Sequence, residues 1–268
     1  MSAVLYLFLA HLGIGITFTL LLVSKEAGVK FFRFNAGLAA ALIAAALAFR
    51  PSSEVFAGSV ANRVSLSALA VALVCLTVYW IIAGRLWAWL RPPLAAVASI
   101  AGVVAIVAHA ATAVGATSGI TAGWLAVASG LSSAALLGGA CTAMVLGHWY
   151  LVIPSMEVRH LQKMTGFHIA TLVGRIVVVG VVLGLAVGVP LVTGQSLRRY
   201  ISSIDGIFFW QRMLFGLAAP AVLSYLTWET AKIRSTQSAT GILYVDFFTV
   251  VVGEVLAVYV LLSTGLAI

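Results

Sequence analysis

The sequence predicts an all-α fold: a polytopic transmembrane bundle of about eight helices, with both termini outside, forming one domain over residues 1–268. Three observations predict it. Of the 268 residues, 63% are hydrophobic and 8% charged, where a soluble domain carries about 25% charged residues. Apolar runs long enough to cross about 30 Å of hydrocarbon recur along the whole chain. None shows the two-residue alternation, in segments of about ten residues, that marks a membrane barrel.

The first span, 3–23, lies in "MSAVLYLFLAHLGIGITFTLLLVSK", which lacks a basic n-region and a small-residue cleavage site and so reads as a retained helix rather than a signal. The second, 35–49, is the shortest. Ahead of it "SKEAGVKFFRF" (24–34) is basic on one side and aromatic on the other, which suits an interfacial amphipathic helix or a helix end with snorkelling anchors. The third and fourth spans, 64–84 and 94–114, are delimited by "RPSSEVFAGSVANR" and "RPP". The fifth, 122–149, follows "GATSGIT" and runs into the hinge "GHWYLVIPSMEVRHLQKMTGFH" (147–168). There Pro154 helps end the helix, His160 falls in the loop, and Trp149 and Tyr150 join Trp80, Trp87 and Trp89 as interface anchors. The sixth, seventh and eighth spans are 167–192, 207–228 and 241–264, separated by "TGQSLRRYISSIDG" and "RSTQSATG".

Basic residues set the direction. Odd-numbered loops hold Lys25, Lys30, Arg33, Arg85, Arg91, Arg159, Lys163, Lys232 and Arg234, whereas even-numbered loops hold Arg50, Arg63, Arg198 and Arg199. That bias places the odd loops in the cytoplasm. The formal charge of +8 therefore reflects topology, and no nucleic-acid partner is expected. Cys75 and Cys141 both fall inside apolar spans and read as small hydrophobes, and the absence of CxxC and CxxCH argues against thiolate metal sites and covalent haem.

Ionisable groups inside hydrocarbon are costly and default to functional candidates. Counting about 1.5 Å per residue from the span ends, Arg212 lies roughly 8 Å below the outer surface, and Glu254 roughly 10 Å below it on the neighbouring antiparallel helix. His11 and His109 lie roughly 12 and 8 Å deep on the same side. These four form an expected outer cluster, with an Arg212–Glu254 ion pair at its centre. An inner set comprises His148, His168, Arg175 and Asp246. His168 and Arg175 share a helix face, and similar depths suggest that Arg175 pairs with Asp246. The outer set suits a quinone pocket served by proton-transferring side chains, and the inner set an inner proton route or a second site. Two b-type haems, on His11 with His109 and on His148 with His168, are the alternative cofactor reading. Interhelical packing by satisfied polar groups is the plainest one.

In the last two spans, "FFWQRMLFGLAAP" and "VVVGEVLAVYVLL" resemble the membrane-anchor subunits of the dimethyl sulfoxide reductase family, through Trp210 and Arg212 in a W-x-R arrangement and through Gly253 and Glu254. The resemblance covers about fifty residues. It implies an eight-helix, haem-free subunit that oxidises menaquinol for a catalytic partner. No Walker A, HExxH, GxSxG or GxGxxG motif occurs, so any redox centre belongs to a partner or lies among the helices. The expectation is a multi-pass subunit of a respiratory oxidoreductase in the bacterial inner membrane, in contact with lipids and other subunits. Alternatives are a dihaem cytochrome b, a small-solute or ion transporter, and a scaffold without chemistry. Halves 1–134 and 135–268 show no sequence repeat that would favour transport.

Overall fold

A computed structural model describes residues 1–51, 59–84, 87–113, 120–153 and 156–268. The sequence readings at Arg85 and Pro154, and much of the "RPSSEVFAGSVANR" and "GATSGIT" connections, fall outside the described residues. Within them the chain is helical, and no strand forms beyond an isolated bridge between Pro190 and Ser196. Among the described residues, eight helical segments are long and apolar enough to cross a membrane. The protein is thus an all-α, multi-pass membrane bundle.

The spans are α1 (Ser2–Thr19), α2 (Gly28–Ala48), α3 (Val60–Ile82), α4 (Arg91–Ala113), α5 (Ile120–Val152), α6 (Arg159–Ala186), α7 and α8 (Thr236–Thr264). Three pieces make up α7: Ile207–Met213, a π-helical turn Leu214–Ala218, and Ala219–Lys232. The π turn has a local cause, because Pro220 has no N–H to offer the carbonyl four residues back at Gly216. Two boundaries differ from the sequence reading by seven or eight residues. Helix α2 begins at Gly28, so "SKEAGVKFFRF" is a short 3₁₀ turn at Lys25–Ala27 followed by a helix end. Its Arg33 lies 5.4 Å over the Trp80 ring, a cation–π contact that draws the cation toward a neighbouring helix. Helix α6 begins at Arg159, so most of the polar hinge is helix.

Helix order explains where the core sits. Helices α1 to α4 close into a ring, each touching the next and α4 returning to α1, and α5 to α8 do the same. The rings meet where α1 packs on α5, the two most enclosed helices. Glycines allow that meeting: a Cβ on Gly15 would lie 1.9 Å from the Ala134 carbonyl oxygen, and one on Gly138 would lie 2.1 Å from the Gly15 carbonyl carbon. Close backbone approach between small residues is how membrane helices gain dispersion contact without a hydrophobic drive. So although the halves share no sequence repeat, their packing pattern repeats.

The hinge is tied down rather than loose. Tyr150 is buried, its hydroxyl donates to the Glu157 carbonyl, and it accepts from the Leu161 N–H at 3.2 Å. It is a buried clamp, not the interface anchor the sequence suggested. Trp149 packs edge-on against Phe31, with ring centroids 5.7 Å apart. His160 sits in the first turn of α6, only 11% exposed, with Nε2 2.6 Å from Glu26 Oε2. It is therefore neither a loop residue nor freely solvated.

Candidate functional site

Six helices contribute polar side chains to one buried belt. At its centre Glu254 of α8 accepts from two guanidinium groups. Arg175 Nε and Nη2 reach its two carboxylate oxygens at 3.1 and 3.0 Å, and Arg212 Nη2 reaches Oε1 at 2.8 Å. All three side chains are at most 2% exposed. Arg175 is further held by α5, donating to the Ser129 carbonyl (3.1 Å), Ser129 Oγ (2.8 Å) and Ser132 Oγ (3.3 Å). Its Nη2 also meets the Ile268 main-chain oxygen at 3.0 Å. Arg175 thus has every nitrogen engaged, whereas Nε and Nη1 of Arg212 have no partner among the described residues.

Arg212 reaches Glu254 because α7 and α8 touch backbone to backbone. A Cβ on Gly253 would stand 2.1 Å from Gly216 Cα, and a Cβ on Gly216 would stand 1.8 Å from Arg212 Nη1. The guanidinium therefore lies over Gly216, inside the π turn. Such turns are frequent at functional sites because the extra residue turns side chains out of the regular helical phase.

The pairing differs from the sequence expectation in one respect. Arg212 and Glu254 do pair, but Arg175 joins them instead of Asp246. Measured from Arg159, the true start of α6, Arg175 stands about 24 Å up its helix, and from Thr236 Glu254 stands about 27 Å up while Asp246 stands about 15 Å up. The late helix start assumed from sequence had lowered Arg175 to the level of Asp246. Asp246 instead meets His168, whose Nε2 is 2.7 Å from Oδ2, both side chains being fully enclosed. That close contact is not aligned as a hydrogen bond, and among the described residues the ring nitrogens and carboxylate oxygens have no other partner.

His148 is exposed and its Nδ1 lies 3.0 Å from the Tyr244 hydroxyl. Tyr244 and Asp246 are two residues apart on α8, hence on nearly opposite faces, one exposed and the other fully buried. The structure therefore does not bring His148 and His168 together as a ligand pair, nor His148 to the Asp246 group. Trp210 is also apart from the belt: its ring is exposed and its Nε1 donates to the Ile201 carbonyl at 3.0 Å.

The outer histidines, by contrast, converge. His11 and His109 line one cavity of about 430 Å³ together with Ser129, Ser133 and Arg175. Its far wall is formed by Ala122, Val192 and residues at the end of α8, so it runs from the belt toward that end of the bundle. His11 Nδ1 is 3.1 Å from Ser133 Oγ, while His109 Nδ1 is buried without a partner among the described residues and its ring packs edge-on against Tyr6. The serines carry no charge and so do not stand out in the sequence as ionisable groups do. The one clue was their spacing: 129 and 133 are one turn apart, on the face that Gly130 opens toward His11.

An apolar cavity of this size with a few convergent polar groups suits a small organic ligand. The belt offers a fixed cationic group, two imidazoles and hydroxyls, which can hydrogen-bond carbonyl oxygens and exchange protons. Among the described residues no group of three or more His, Cys, Asp or Glu is placed to hold a metal ion. No protein-family model matches the chain, and no curated protein matches it.

Proposed function

We propose that the chain is a quinone-binding membrane subunit of a bacterial respiratory oxidoreductase complex, seated in the cytoplasmic membrane, which also anchors a catalytic or electron-transferring partner. The supporting observation is the cavity where His11, His109 and Arg175 meet, backed by the buried Glu254–Arg212 pair. In this reading a quinone carbonyl accepts a hydrogen bond from the unpartnered ring nitrogen of His109, and Arg175 biases the pocket toward electron-rich oxygen. His11 and His109 take the two protons released when quinol is oxidised, and the two electrons pass to a redox centre of the partner subunit. Glu254 positions Arg175 and Arg212. His168 and Asp246 stand nearer the opposite surface as a separate inner pair. The resemblance of the last two spans to quinol-oxidising anchor subunits agrees with this reading, as does the basic bias of the odd-numbered loops, which sets both termini outside.

The test is titration of the purified protein with a fluorescent quinol-site analogue. His109→Ala and His11→Ala should each weaken binding at least tenfold while the protein elutes from a sizing column as wild type does. Unchanged affinity in both variants overturns the reading. A b-type haem on His11 and His109 is read out in the same preparation, since a reduced-minus-oxidised α-band would assign the pair to haem.

The repeated ring packing favours transport as a second reading, because transporters often place their site between related halves near the midplane. Uptake of a small solute by proteoliposomes holding this chain alone would establish it.

A further inference from the structure

A second cavity lies far from the belt, at the end of the bundle where α2 and α4 begin. It holds about 370 Å³, and its polar wall is made by the cations Lys25 and Arg91 with Tyr79, its apolar wall by Leu20, Val29 and Phe32. Two observations set its charge. First, neither cation has a carboxylate within ion-pair distance among the described residues. The acid next in sequence, Glu26, is turned away toward His160 at 2.6 Å and Arg159 at 3.9 Å. Secondly, Arg91 Nε is enclosed and has no hydrogen-bond partner among the described residues. The N-terminal residues of α2 and α4 also line the cavity, at Gly28 and Arg91, so the positive ends of two helix dipoles add to the side-chain charge.

Height is set independently. Ala88 lines the same cavity between Trp87 and Trp89, which are 62% and 72% exposed. Exposed tryptophans flanking a span mark the headgroup level of the bilayer. A basic recess at that level, with an apolar wall leading along the helices, has the two zones of a phospholipid: a phosphate at the cations and an acyl chain against Leu20 and Phe32. Basic pockets between transmembrane helices on the cytoplasmic side bind anionic headgroups in this way.

We infer that the recess between Lys25, Arg91 and Tyr79 is a binding site for a phosphate-bearing anion, the headgroup of an anionic phospholipid. The site is separate from the quinone reading and does not depend on it.

Native mass spectrometry of delipidated protein tests this, with phosphatidylglycerol, phosphatidylcholine and water-soluble glycerol 3-phosphate titrated in parallel. Phosphatidylglycerol should bind at least tenfold more tightly than phosphatidylcholine, and K25Q/R91Q should erase that preference while leaving phosphatidylcholine binding unchanged. Lys25 is exposed and its ammonium has no ion-pair partner among the described residues, while its carbonyl, which accepts from the Gly28 N–H, is untouched by the substitution, so K25Q alone keeps the test valid if the double variant does not fold, with a several-fold loss expected. Glycerol 3-phosphate binding as tightly as the lipid, and lost in the same variants, would keep the phosphate site but assign it to a soluble ligand. Equal binding of the two lipids by the wild-type protein overturns the inference, as does undiminished phosphatidylglycerol binding in K25Q/R91Q.

Discussion

Replacing Glu254 with Gln should destabilise the bundle far more than an isosteric change ordinarily does. The carboxylate accepts three hydrogen bonds from two enclosed guanidinium groups, at 2.8, 3.0 and 3.1 Å. Gln keeps one acceptor but turns an NH₂ toward donors and removes the carboxylate charge that faces both cations. Each charge pair at about 4 Å is worth about 4 kcal/mol at an effective dielectric constant of 20, and breaking a buried pair from one side typically costs about 3–5 kcal/mol. With about 2–4 °C per kcal/mol for a chain of this size, the midpoint of thermal unfolding in detergent should fall by roughly 10 °C. The cost should be partly reversible. In E254Q/R212Q the stranded Arg212 cation is gone, while Arg175 retains Ser129, Ser132 and the Ile268 oxygen. The double variant should therefore melt above E254Q. A midpoint for E254Q within 2 °C or so of wild type, or a double variant that melts lower still, would refute the idea that one anion satisfies both cations.

The glycine contacts make a sharp comparison. Gly253→Ala drives a methyl to 2.1 Å from Gly216 Cα and should cost at least about 1–3 kcal/mol in thermal unfolding, whereas Gly180→Ala, with nothing within 4 Å, should be neutral or stabilising by up to about 1 kcal/mol. Tyr150→Phe leaves the Leu161 amide without its acceptor, a loss of about 1–3 kcal/mol that should appear as faster hydrogen exchange at Leu161 and its neighbours. Glu26→Gln removes a partner of His160 that is 51% exposed, so its cost should stay under about 1 kcal/mol and vanish in high salt.

How much of this was legible depends on which physical signal each feature leaves. Eight spans show in the sequence because hydropathy must match bilayer thickness whatever the packing. Their ends show poorly. Lys30 and Arg33 put the start of the second span at 35 instead of 28, although long basic side chains reach water or an aromatic ring from inside a helix end, one of the two readings that 24–34 offered. The same error at α6 shifted Arg175 by eight residues and assigned it to the wrong acid. Arg212 and Glu254 were found together because depth alone placed them on adjacent antiparallel helices. Which way a side chain turns is set by helix rotation, and an apolar-all-round helix leaves no periodicity from which to read it. Ser129 and Ser133 were invisible for that reason, and so was the separation of His148 from His168.

The π turn at Leu214–Ala218 acts as a phase shifter for α7. One residue more than an α-helix needs is accommodated there, and each residue of α-helix represents about 100° of rotation. Residues 207–213 are therefore turned by about that angle from where an uninterrupted helix running back from Lys232 would present them. Arg212 faces Glu254 through that offset. Deleting one residue inside the turn would give a more regular helix, with the guanidinium swung toward lipid and Glu254 left to Arg175. The irregular turn, together with Pro220 that imposes it, is what gives the buried carboxylate its second cation.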